Sequence, residues 1–266
     1  MLNTVALSIS AVVTLIPSAI LPFRREPARD AVFWILLVVA IAGPLVWIWI
    51  AFDPGWRTGL ASTLWITVAA SLVLYALLAL TMREVWRLAP LLFPYLAVMG
   101  ILATIWIQQP ERPLEGLGPS AWVQFHILIS VLTYGLLTIG AVAGLAVVLQ
   151  ERALKRKRPG RLTHLMPSVA DGERIQVALL AAGAAILGCG LLSGMAAQFF
   201  QTGEVIDITH KTALSIATFA VIVVLLAVHI RTGIRGRRAA RYFLVAYLLI
   251  TLAYPGVKFV TDVVLN

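Results

Sequence analysis

Two histidines in this chain are placed to act together. His126 opens one apolar stretch, 122–149, and His210 opens another, 211–230. Two membrane crossings separate them, so both fall at the same surface. Neutral imidazoles at one depth on different helices can ligate one metal or haem iron from opposite faces. Each can equally bond a carbonyl or hydroxyl of a neighbouring helix, the usual fate of a lone histidine. An imidazole in hydrocarbon is costly unless it is paired, ligated or wetted. On the helix of His126, Ser130, Thr133, Tyr134 and Thr138 follow at i+4, i+7, i+8 and i+12, a polar stripe on the histidine's face. The stripe reads as a ligand pocket or as helix–helix hydrogen bonding. Trp122 and Phe125, at the same edge, suit the aromatic belt of a membrane surface. His164 sits in a charged loop and His229 at the other end of its span.

Other chemistry is sparse. The chain has no HExxH, GxSxG or P-loop sequence. Its carboxylates fall in loops or at span ends, not mid-span where a proton-coupled carrier would need them. A non-enzyme is therefore expected. The single cysteine, Cys189, rules out an intrachain disulfide and a CxxCH haem-attachment site, and is read as a small packing residue.

The elements that position these residues are membrane spans. Of 266 residues, 61% are hydrophobic and 12% charged, against about 25% charged in a soluble domain. The reading is all-α: one polytopic bundle of eight transmembrane helices, at about 3–22, 31–51, 60–82, 88–107, 121–150, 176–198, 211–230 and 242–262. Pro44, Pro90, Pro94 and Pro255 predict kinks. Gly140-x-x-x-Gly144 and Gly190-x-x-x-Gly194 predict close helix approach, with spans five, six and seven around a shared cavity. Seventeen of 21 Lys and Arg residues fall in the first, third, fifth and seventh loops. The positive-inside rule then puts these loops in the cytoplasm and both termini outside. The net charge of +9 thus reports orientation rather than nucleic-acid binding. The basic loop 151–175 reads as a topology determinant or as a segment lying on anionic headgroups.

The segments HILISVLTYGLLTIGAVAGLAVVLQERALKRK, HKTALSIATFAVIV and RTGIRGRRAARYFLVAYLLITLAYPGVKFV resemble the cytochrome c assembly superfamily. These are haem-handling proteins of the CcsA and CcmC kind, and the likeness is to the small eight-span HemX/YpjD-like branch. It covers roughly residues 60–266. It implies non-covalent b-type haem at the periplasmic face of a bacterial inner membrane, in support of cytochrome c assembly. The partners it implies are the lipid bilayer and other cytochrome c maturation proteins. His126 matches the family's first external histidine. The family segment DPKETW aligns with 209–214, which keeps Lys211. The family's tryptophan-rich segment corresponds to FFQTGEVIDIT, which has no tryptophan. Its second external histidine falls in YPGVKFV, which offers Lys258 instead, so His210 is the candidate substitute. His229 lies near a histidine often found inside the family's membrane region. The expected cofactor-binding set is His126, His210, Lys211, Lys258 and Trp122, with both histidines on the iron. The alternatives are a non-haem scaffold for a membrane partner, or a regulator of haem synthesis acting through loop 151–175.

Overall fold

The computed structural model describes residues 2–26, 28–52, 57–109, 112–113, 121–202, 210–233 and 236–260, with the side chains of His210 and Lys211 outside that description. The chain runs α1 (Leu2–Arg24), α2 (Ala31–Ala51), α3 (Leu60–Thr81), α4 (Ala89–Ile105), α5 (Ala121–Lys155), the short α6 (Arg161–Leu165), α7 (Val169–Thr202), α8 (His210–Thr232) and α9 (Arg237–Thr251). Seven of these, α1–α5, α7 and α8, contain a span long and apolar enough to cross a bilayer. The segment expected as the eighth span is built differently. After α9 it passes through a π-helical turn, Leu252–Gly256, into α10 (Val257–Phe259). Pro255 lies in that turn, where its missing N–H breaks the α-helical ladder. By contrast, Pro44 and Pro94 lie inside α2 and α4, and Pro90 sits in the first turn of α4, where its fixed φ suits a helix start.

Several helices outrun the apolar stretches that announced them. α5 continues to Lys155 and α7 begins at Val169, so the expected loop 151–175 shrinks to about 156–168. Charge ends an apolar span but not a helix, since Glu, Arg and Lys are good helix formers. What remains of the loop is pinned: Gln150 Nε2 donates to the carbonyls of Thr163 and Pro167, at 2.7 and 3.1 Å.

The loops gather at two ends. Arg57–Thr58 pairs antiparallel with Arg112–Pro113 at one. At the opposite, basic end, Glu151 of α5 and Glu173 of α7 reach the start of α9. Glu173 accepts from the Gly236 N–H, and Glu151 accepts from the Arg237 N–H at 2.9 Å. Gly236 has φ +68°, and a Cβ there would collide with the Glu151 carboxylate. At the same end Asp30 caps α2. Its carboxyl is held below the usual range by the Phe33 N–H, with Arg25 assisting at 2.8 Å.

α5 is the central element. In its most apolar window 83% of residues are buried, against 22% in α1 and 11% in α8. On one side α1–α4 form a core in which Trp65 is stacked on Trp47 and donates to Ser8 Oγ at 3.0 Å, while Tyr75 donates to the Trp86 carbonyl. On the other, α7 and α9 pack on α5, and α8 packs in turn on α7 and α9. Two of the three glycines of α5 serve this side: Gly140 receives the Phe243 ring of α9, and Gly144 receives Gln176 of α7. Cys189 is exposed on α7 rather than packed. The lipid-facing side of a span leaves such a residue without protein neighbours.

Candidate functional site

The site is built where α5 and α7 come closest, at the end away from the basic loops. On α7, Gly190 and Gly194 sit one turn apart. A Cβ at Gly190 would stand 3.0 Å from Ile129 Cγ2, and one at Gly194 would stand 2.9 Å from His126 Cε1. Between them Ser193, buried, holds two residues of α5. Its carbonyl accepts from Trp122 Nε1–H at 2.9 Å. Its hydroxyl lies 2.9 Å from His126 Nδ1. The spacing of Trp122 and His126, i and i+4, puts both on the face that meets α7.

Ser193 Oγ also reaches the Gly190 carbonyl, at 2.9 Å. With its one proton given to that carbonyl, the oxygen accepts from Nδ1–H. The lone pair then resides on Nε2. Such a second-nitrogen bond orients a ligating histidine and raises its basicity.

His126 lines a cavity of about 280 Å³ between α5, α7, α8 and the π-helical turn. The walls include Ser130, Thr133 and Tyr134 of the predicted stripe, with Ser215 of α8 opposite. The hydroxyls of Ser130, Thr133 and Thr138 donate to carbonyls four residues back in their own helix, at 2.8–2.9 Å. The two readings of the stripe thus divide along its length. Ser130 and Thr133 are cavity wall. Thr138 is a helix–helix contact, and Tyr134 is both. The Tyr247 hydroxyl of α9 lies 2.6 Å from that of Tyr95 (α4), 3.1 Å from Thr138 Oγ1 and 3.4 Å from that of Tyr134. Tyr134 also meets Thr251 Oγ1 at 3.2 Å. Tyr134 joins this tyrosine knot to the cavity wall, and the knot ties three helices together.

The other expected residues are placed less completely. His210 begins α8, but its side chain and that of Lys211 lie outside the described residues. The inward face of α8 is marked by Ser215 and by buried Thr218 and Ile222, while Ala213 is exposed. Lys258 is half-buried in α10, five residues beyond Ala253 in the cavity wall. Asp262, four residues beyond Lys258 and so expected on the same helical face, lies outside the described residues, as does the segment 203–209. Phe259, next to Lys258, packs edge-on against Trp106 of α4 at 5.3 Å. His229 and His164 stand at the basic end, remote from His126.

Ser193, Tyr95 and Tyr247 were not singled out from sequence, although a serine inside a Gly-x-x-x-Gly repeat is a usable signal for a polar contact at a close helix crossing. An exposed aromatic pair, Phe199–Phe200, with rings 6.0 Å apart, stands at the same end. Among the described residues no group of three or more His, Cys, Asp or Glu could hold a metal ion. A haem iron brings four nitrogens of its own and asks the protein for one or two ligands.

Comparison with known proteins agrees with this architecture. Over its full length the chain is 48% identical to an uncharacterized 28.8 kDa protein in a nifR3-like 5′ region of Azospirillum brasilense, and covers all of it. It is 26% identical to the inner membrane protein YpjD of Escherichia coli K12 over 179 residues, 67% of this chain and 66% of that one. The Cytochrome C assembly protein family matches residues 32–265, and this multi-pass membrane protein belongs to that family.

Proposed function

We propose that this protein binds or delivers haem at the periplasmic face of a bacterial inner membrane, in support of cytochrome c assembly, without itself being an enzyme. The observation that carries the reading is His126. Its Nδ1 is committed to Ser193, so its Nε2 lone pair is available at a cavity with polar walls. Haem iron takes such a lone pair as an axial ligand. Small-molecule sites run about 300–1,000 Å³, so a cavity of about 280 Å³ suits one edge of a macrocycle, with the rest toward the outer surface. Exposed Trp122, Phe125, Phe199 and Phe200 offer flat apolar faces there, in place of the tryptophans found elsewhere in the family. His210 is the proposed second ligand. Lys211 and Lys258 are proposed partners for the acidic propionates.

The donor set fits the group. One neutral imidazole, already oriented, and cations near the outer surface are what a b-type haem needs from its host. The test is a haem titration of the purified protein in detergent, read at the Soret band. His126→Ala should abolish or strongly weaken binding, His210→Ala should alter the spectrum of the bound state, and Lys258→Met should weaken retention in a folded protein. Absorbance identical in wild type and the His126→Ala variant would return this histidine to a purely structural role.

A further inference from the structure

A second cavity lies at the basic end, and nothing said of His126 bears on it. It is a crevice of about 480 Å³ between α7, α8 and α9. We infer that it binds one anionic phospholipid of the adjacent leaflet, with an acyl chain in the crevice, the ester region at Gln176 and the phosphate at Arg231 and Arg238.

Three observations carry this. The first is Gln176. It is only 4% exposed, lines the crevice and has no hydrogen-bond partner among the described residues. A carboxamide that opens onto apolar walls without a partner is costly, more so beside hydrocarbon than beside water. An ester carbonyl entering the crevice would accept from it.

The second is the shape and lining. Below Gln176 the walls are apolar, with Leu180, Val221, Val224 and Leu225 in line along two helices. Val224 and Tyr242 are each more than half exposed, so the crevice opens sideways toward lipid. An acyl chain can enter without leaving the bilayer. Tyr242 and His229 stand at its polar end.

The third is charge. Arg238 lies one turn before Tyr242, and Arg231 follows Val228 by three residues, so the helical register puts both at the mouth of the crevice. Both are exposed, and neither makes an ion pair among the described residues. The nearest carboxylates, Glu151 and Glu173, are turned to the amides of Gly236 and Arg237 and form no ion pair with either arginine. A zwitterionic headgroup would match this mouth poorly, and a free phosphate would leave Gln176 and the apolar walls unused.

The full-length protein, exchanged into detergent, can be titrated with phosphatidylglycerol or with phosphatidylcholine of the same chains and read by native mass spectrometry. We expect one phosphatidylglycerol retained in preference to phosphatidylcholine. The double variant Arg231→Gln/Arg238→Gln should bind it roughly 25-fold more weakly, from about fivefold per basic residue near a membrane surface. The lysine pair at the same positions should restore most of that. Gln176→Leu should weaken binding about 2- to 10-fold, the value of one hydrogen bond. Ala220→Phe fills the crevice from its exposed side and should displace the lipid, with thermal unfolding reporting that the fold is kept. The proposal is overturned by equal retention of both lipids, by Ala220→Phe leaving retention intact in a folded protein, or by inorganic phosphate displacing the lipid at equal concentration.

Discussion

Replacing Ser193 by alanine isolates the hydrogen bond that orients the proposed iron ligand His126. The variant deletes one oxygen and leaves the Trp122 bond in place, because Trp122 donates to the Ser193 backbone carbonyl. The helices should still close, since Gly190 and Gly194 rather than the hydroxyl set their separation. His126 then loses the acceptor 2.9 Å from its Nδ1. Loss of such a partner typically lowers metal affinity 10- to 100-fold, about 1.4–2.7 kcal/mol. The low end applies here, because the Gly190 carbonyl stands beside the ring and can take over part of the contact. The expected result is about tenfold weaker haem binding in a Soret titration. Ser193→Thr, which keeps the hydroxyl, should restore most of it. The stability cost should stay near one hydrogen bond, about 0.5–1.5 kcal/mol. Wild-type haem affinity in the Ser193→Ala variant would refute the assignment of Nδ1 as the tethered nitrogen. A loss as large in Ser193→Thr would indicate a packing effect instead.

Other expectations follow from the same geometry. Reporter fusions within 155–165 and at Asn266 should report opposite sides of the membrane; the same side for both would remove the argument that His126 and His210 share a face. Tyr247→Phe removes a hydroxyl that sits 2.6–3.4 Å from three others, and should cost about 1–2 kcal/mol in detergent unfolding, near the upper range for intramembrane hydrogen bonds; an unchanged transition would show that the knot contributes nothing to stability. Gly140→Ala places a methyl 2.5 Å from Phe243 Cζ and should destabilise by about 1–3 kcal/mol through overpacking; combining it with Phe243→Leu should recover part of that loss, and strict additivity of the two would argue against direct contact.

The sequence made some of this legible and hid the rest for identifiable reasons. The spans, the central role of α5 and the close approach at Gly190 and Gly194 follow from apolar length and small-residue spacing, which are local signals. His126 stood out because a polar side chain in hydrocarbon needs a reason. Ser193, Tyr95 and Tyr247 did not, because hydroxyls are common in membrane helices and only the crossing of particular helices brings these together. The last span was read as one helix around a kink, whereas the chain passes Pro255 by a π-helical turn. Nothing in Tyr-Pro-Gly distinguishes the two, since both repair the same missing hydrogen bond. Helix ends were misplaced wherever charged helix formers carried α5 and α7 beyond the apolar boundary.

The pairing of Glu151 and Glu173 with the start of α9 bears on the order in which the molecule assembles. The first amides of a helix have no intrahelical acceptor, and Gly236 carries no side chain to supply one. Both acceptors come from helices made earlier, and they converge only once α5 and α7 lie side by side. The last hairpin can therefore seat its basic end only on a correctly paired α5–α7 platform. A mispaired platform leaves those amides without their acceptors. The junction thus acts as a checkpoint in which the final helix of the chain inspects the pairing of two earlier ones.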